Sequence, residues 1–136
     1  MADLARRENG GKIVMTTCSD QRHPAENMID QSEHTFWVTT GMYPQEFVLD
    51  LGSMSKVTRI TTLSRNVRRL NVESSSVPET NEFKGLIDVD LGPRPKQTES
   101  QGVDVTARYL KWRIASGYDN FAAITRISVL GERIDE

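Results

Sequence analysis

Between Asn27 and Thr35 the chain reads NMIDQSEHT, which places side-chain oxygens at Asn27, Asp30, Ser32, Glu33 and Thr35. Hard oxygen donors at this density in a short segment suit calcium, which takes about six to eight oxygens, many of them backbone carbonyls of a constrained loop. The same residues equally suit a tight turn held by Asx and Ser/Thr hydrogen bonds without a metal. Spacing alone leaves these two readings even. His23 and His34 flank the segment, but their separation of eleven residues lacks the i, i+4 partner of a helical zinc site. No G-x-S-x-G elbow, P-loop or H-E-x-x-H occurs, and Asp88 and Asp90 fall on the polar side of a strand pattern, where solvation is the simplest reading. The chain is therefore expected to be no enzyme.

A second cluster, Arg65, Arg68 and Arg69, lies in SRNVRRL. Basic residues on a sheet edge keep it soluble, and arginine also favours interfaces, so an acidic partner surface is the functional reading of this cluster. No aromatic side chains sit beside it to stack on bases, so single-stranded nucleic acid is not the expected ligand. Tyr43, Tyr118 and Phe121 fall in turn-like segments, where each either plugs an end of the fold or anchors a ligand.

The elements that must position these groups are short strands. KIVMTTCS reads as the first, and Pro24 with AENMID supports only a single helical turn. Phe47, Leu49 and Leu51 alternate with Val48 and Asp50, which points the first three at a core, and Gly52 is expected to close that strand. KVTRITTLS and VRRLNVES follow, separated by Arg65-Asn66; a tight hairpin and a crossing between sheets are both open there, since the turn lacks glycine. Ile87, Val89 and Leu91 alternate with Asp88 and Asp90 before Pro93 and Pro95 break the run. Leu110, Trp112 and Ile114 interleave with Lys111 and Arg113 in the clearest central strand, and ITRISVLG closes the domain. About eight short strands without a long amphipathic helix predict an all-β, antiparallel two-sheet sandwich of jelly-roll type.

Composition bounds the rest. At 136 residues, 37% hydrophobic and 26% charged, one domain is expected, with residues 1–11 a flexible lead-in that either frays or forms a strand, 12–133 the folded body and 134–136 a tail. The net charge of −2 gives no general attraction to nucleic acid or acidic membrane. No apolar run is long enough to span a bilayer, and the opening MADLARRENGGK has no secretory apolar region, so the cytoplasm is the expected compartment. The single Cys18 has no internal disulfide partner and reads as a small buried hydrophobe.

The strings HPAENMIDQSEHTFW, GMYPQEFVLDLG, VTRITTL, YLKWRIASGYDNFAAI and SVLG, in that order, resemble the galactose-binding-like, or discoidin (coagulation factor 5/8 C-type), jelly-roll family. The N-x-x-D-x-x-x-x-T-x-W loop carries the superfamily likeness. TTGMYPQEF together with SGYDNFA is similar to the small subunits of intraflagellar transport complex B that pair with a Rab-like small GTPase. This resemblance covers roughly residues 12–131. It implies a non-catalytic adaptor, located in cytoplasm and cilium or flagellum, in a stable heterodimer with the GTPase. It also implies a structural Ca2+ held by the side chains of Asp30 and Thr35 and by carbonyls of Asn27, Ser32 and Thr125, with Arg126 standing near the family's usual glutamate position. A carbohydrate- or lipid-headgroup-binding discoidin module is the alternative that the superfamily offers.

Overall fold

Two strands of 21 residues each, Gln45–Arg65 and Gln97–Gly117, shape the whole molecule. The computed structural model describes residues 2–17, 22–30, 35–39, 42–79 and 82–134. Its strands, in chain order, are β1 (Ala2–Asp3), β2 (Lys12–Thr16), β3 (Trp37–Val38), β4 (Gln45–Arg65), β5 (Val67–Ser75), β6 (Lys84–Asp90), β7 (Gln97–Gly117) and β8 (Ala123–Arg133). Short 3-10 turns occupy Arg7–Asn9 and Ala25–Ile29. All pairings are antiparallel.

The hydrogen-bonded path runs β1-β8-β4-β7-β5-β6, with β2 added to β4 and β3 to β8. Because β4 and β7 bend, this path folds into two layers. The first half of β4 pairs with β2 and with residues 109–114 of β7, which continue to β5 and β6. The second half of β4 pairs with β8 and with residues 97–107 of β7. The result is the expected jelly-roll sandwich.

Gly52 does not close a strand. It takes φ +90°, accompanies the break in register between Asp50 and Ser55, and lets the chain turn from one layer toward the other. A Cβ there would stand 3.1 Å from the Gly10 carbonyl oxygen, so the bend needs glycine for space as well as for φ. At Arg65-Asn66 the crossing, and not the hairpin, is what forms: β4 and β5 share no ladder, and Asn66 alone, at φ +62°, joins them. Asparagine is among the few residues that visit this region cheaply. The buried Gln97 fastens the corner: Oε1 accepts from Ser64 Oγ (3.0 Å) and Val67 N–H (3.1 Å), and Nε2 donates to the carbonyls of Val67 (2.7 Å) and Gly92 (2.8 Å).

The inward positions are those the alternation selected. Phe47, Leu49, Leu51, Leu110, Trp112 and Ile114 are fully buried. Trp37 of one layer packs edge-on against Phe47 of the other at 5.2 Å, and Phe47 stacks on Trp112 at 5.2 Å. Of the two outcomes open to the lead-in, a strand forms, and residues 2–11 pack against the body. Ala2 and Asp3 pair with Gly131 and Leu130, Leu4 and Ala5 are buried, and the Asp3 carboxylate accepts from Val129 N–H and Ser128 Oγ. Two apolar residues in a polar segment suffice to drive this docking once β8 offers an unpaired edge.

Candidate functional site

The oxygen-rich loop is positioned from below. Met28 and Ile29, the buried end of the 3-10 turn, anchor it to the core, and the turn packs on β8 and β2. Asp30 then emerges at the surface. Thr35 Oγ1 lies 3.0 and 2.9 Å from the two carboxylate oxygens of Asp30, Asn27 Nδ2 donates to the Phe36 carbonyl at 3.0 Å, and His23 stacks on Phe36 with ring centroids 4.2 Å apart. These contacts join the limbs of the loop at its base. Trp37, wholly buried, pairs with Ile124 and fixes the returning limb to β8.

Thr125 occupies a distinctive place on that strand. Its neighbours Ile124 and Arg126 pair with Ser64 and Leu63, so Thr125 is the extra residue of a β-bulge beside the returning limb. Ser32, Glu33, His34 and Cys18 lie outside the described residues. Among the described residues no three His, Cys, Asp or Glu side chains gather as a metal cluster. What the loop does bring together is one carboxylate and one hydroxyl, about 3 Å apart. Oxygens so spaced can share a hydrogen bond or a hard cation, since calcium bonds of 2.3–2.6 Å set ligand oxygens about that far from each other.

The arginine cluster does not act as one group. Arg69 forks onto Asp88, with Nε to Oδ1 at 2.7 Å and Nη2 to Oδ2 at 2.8 Å, and its Nη1 reaches Asp90 at 3.1 Å. Register dictates this, because Asp90 is directly opposite Arg69 on β6 and Asp88 is the next outward residue. Hydrogen bonds to Asp88 and Asp90 raise the Arg69 pKa further, and the Arg69 fork holds the Asp88 carboxyl below the usual range. Arg65 and Arg68 are exposed. Asp88 and Asp90 are exposed as expected, but they are occupied.

The aromatic loops meet each other. Thr39 N–H donates to the Ala122 carbonyl and Ala122 N–H to Thr39 Oγ1, both at 2.9 Å, while Tyr43 donates its hydroxyl to the Asp119 carbonyl at 3.0 Å. Tyr118 donates to the Leu91 carbonyl. Burial, then the nearby Asp119 charge, raise the Tyr43 phenol, outweighing its hydrogen bond with Thr39.

Alternation failed to find Lys111. It stands on the outward side of β7, yet is only 4% exposed. Phe83 lies over its ammonium at 4.6 Å, and Glu73 of β5 approaches at 3.6 Å. The available signal was Val77, Pro78 and Phe83, apolar residues in an otherwise polar loop after β5.

The F5/8 type C domain model matches residues 12–128. The chain is 50% identical over 133 residues to intraflagellar transport protein 25 of Chlamydomonas reinhardtii, covering 96% of this chain and 70% of that protein. It is 35% identical over 132 residues to the human intraflagellar transport protein 25 homolog, covering 95% and 92%. Among solved structures, the family 32 carbohydrate-binding module of Clostridium perfringens NanJ, in complex with galactose, superposes with a TM-score of 0.80 at 16% identity, covering 94% of this chain and 97% of that one. A fucolectin from striped bass serum gives a TM-score of 0.80 at 14% identity, covering 98% and 48%. At such identities these two structures share the fold alone.

Proposed function

The chain belongs to the F5/8 type C domain family and, within it, to the intraflagellar transport protein 25 family, and we propose from this premise that it is a non-catalytic adaptor subunit of intraflagellar transport complex B. It works in the cytoplasm and the cilium or flagellum, in a stable heterodimer with a Rab-like small GTPase. The observation that carries this reading is the 50% identity to the Chlamydomonas protein over 96% of the chain. The absence of a catalytic constellation from the sequence agrees with it.

An adaptor of this kind works by presenting rigid surfaces, and the loop at 27–35 is one place where rigidity has to be built. A calcium ion would be held there by the Asp30 carboxylate and the Thr35 hydroxyl, with carbonyls of Asn27, Ser32 and Thr125. Two features support that donor set: the Asp30 and Thr35 oxygens converge, and the bulge interrupts the ladder at Thr125. When bound, the ion supplies a cross-link between loop limbs, with no chemistry on a substrate. Arg126 pairs with Leu63 at the next register position and stays on the ladder.

Affinity capture of the tagged chain from a ciliated cell, with quantitative mass spectrometry, tests the adaptor reading. A Rab-like GTPase at near-equal stoichiometry, with other complex B subunits, is the expected result. Recovery of the chain without any small GTPase would overturn it.

A further inference from the structure

The outer face of the β2-β4-β7-β5-β6 layer carries a pocket of about 260 Å³ lined by Val14, Met15, Val48, Tyr109, Phe83 and Lys111. Two departures from a regular sheet build it. On β2, Ile13 pairs with Leu49 and Met15 with Val48, so Val14 is the extra residue of a bulge, and two consecutive apolar side chains stay in solvent, at 44% and 37% exposure. On the far side, the loop after β5 folds Pro78 and Phe83 over the sheet and walls in Lys111.

Lys111 is the unusual group. Its side chain is 5% exposed, and among the described residues its ammonium has no hydrogen-bond acceptor; Glu73 Oε1 stands at 3.6 Å, beyond hydrogen-bond length. The ion pair with Glu73 leaves the ammonium N–H groups without a short acceptor on the pocket side, and a carboxylate entering there would accept from them. Asp50, also on the pocket wall, makes no demand on Lys111 because Arg108 holds it from Nε at 2.9 Å and Nη2 at 3.2 Å.

We propose that this pocket is a docking site for a partner protein segment in which a single carboxylate side chain is flanked by bulky apolar residues. The carboxylate meets the Lys111 ammonium, and the apolar neighbours cover Val14, Met15 and Val48. One negative charge fits and two do not, since Lys111 brings a single positive charge that Glu73 already shares at 3.6 Å, while Asp50 is matched by Arg108. The volume lies below that of pockets for drug-sized ligands, and suits one or two side chains. This site does not depend on the identity of the GTPase partner.

The test is an NMR titration of the ¹⁵N-labelled full chain with the blocked tripeptide acetyl-Ile-Glu-Ile-amide and with its glutamine counterpart. Saturable shifts confined to the amides of Met15, Val48, Tyr109 and Lys111, with the glutamine peptide weaker by about tenfold, are expected. Lys111→Met removes that preference. Should this variant fail to fold, Met15→Glu, at an exposed position, weakens the glutamate peptide similarly by repulsion. Equal binding of both peptides, shifts elsewhere on the surface, or no saturation by about 10 mM peptide overturns the proposal.

Discussion

The indole N–H of Trp112 donates to Thr62 Oγ1 at 2.9 Å, and this buried hydrogen bond links the two layers through the middle of the core. Trp112 belongs to the β4-β7-β5 layer and Thr62 to the layer that β4 forms with β8. The two residues therefore set how the layers sit on each other. Thr62→Val keeps the shape but strands the indole donor, and should lower unfolding free energy by about 1–3 kcal/mol in urea titrations. Thr62→Ser retains the acceptor and should cost less than the valine change. Equal losses for both substitutions would show that packing, and not the hydrogen bond, dominates.

The corner at Asn66 yields a second expectation. Gln97→Leu leaves the Val67 N–H and two carbonyls without their partner, and should destabilise the chain by about 3 kcal/mol. Asn66→Gly should be nearly neutral, whereas Asn66→Val should cost about 1–2 kcal/mol for its left-handed φ. Denaturant midpoints of the three variants check the ranking.

Acid stability should depend on Arg108. Burial tends to raise the Asp50 carboxyl, but hydrogen bonds from Arg108 and the Gly52 N–H, with the charges of Arg108 and Lys12, bring it below its ordinary value. A lowered folded pKa means that this group's contribution is complete above the unfolded value near 4, and is lost as pH falls through the lowered one. Arg108→Gln removes the principal lowering influence while burial remains. Its acid-unfolding midpoint should move to higher pH than that of the parent, and an unmoved midpoint would deny the pair a role in acid stability.

Chelation addresses the 27–35 loop. With calcium at a hundredfold excess over Kd, binding to the native state alone adds about 2.7 kcal/mol, enough to shift a melting curve visibly. The parent should melt lower in chelator than in calcium, and Asp30→Ala should melt alike in both. A parent curve indifferent to calcium would leave the Asp30–Thr35 contact as a turn hydrogen bond.

The arginines can now be tested separately. Reversal at Arg69 would set a carboxylate against Asp88 and Asp90, and so confound docking with sheet stability. Arg65→Glu with Arg68→Glu alters exposed positions only. If these arginines contact the GTPase, the double variant should recover less of it in the same affinity capture while its melting temperature stays unchanged. Undiminished recovery would exclude Arg65 and Arg68 from that surface.

Much of this was written locally. Alternation at Phe47–Leu51 and at Leu110–Ile114 named the core, because a strand's side-chain period of two separates its faces wherever the strand ends up. The Asn27, Asp30, Thr35 and Trp37 spacing named a candidate loop, of which the Asp30–Thr35 contact and the buried Trp37 are seen among the described residues. Tertiary structure alone decided what covers each face and which neighbour each residue meets. Gly52 became a bend because both halves of β4 found partners in different layers, and the chain beyond Asn66 crossed because β7 was already the shared neighbour. Arg69 lost its freedom to aspartates about twenty residues away through β5–β6 register. Lys111 went from a solvated position to a walled one when a distant phenylalanine folded over it. A sequence period fixes direction relative to the backbone, whereas burial and pairing depend on segments brought close only by the completed sheet.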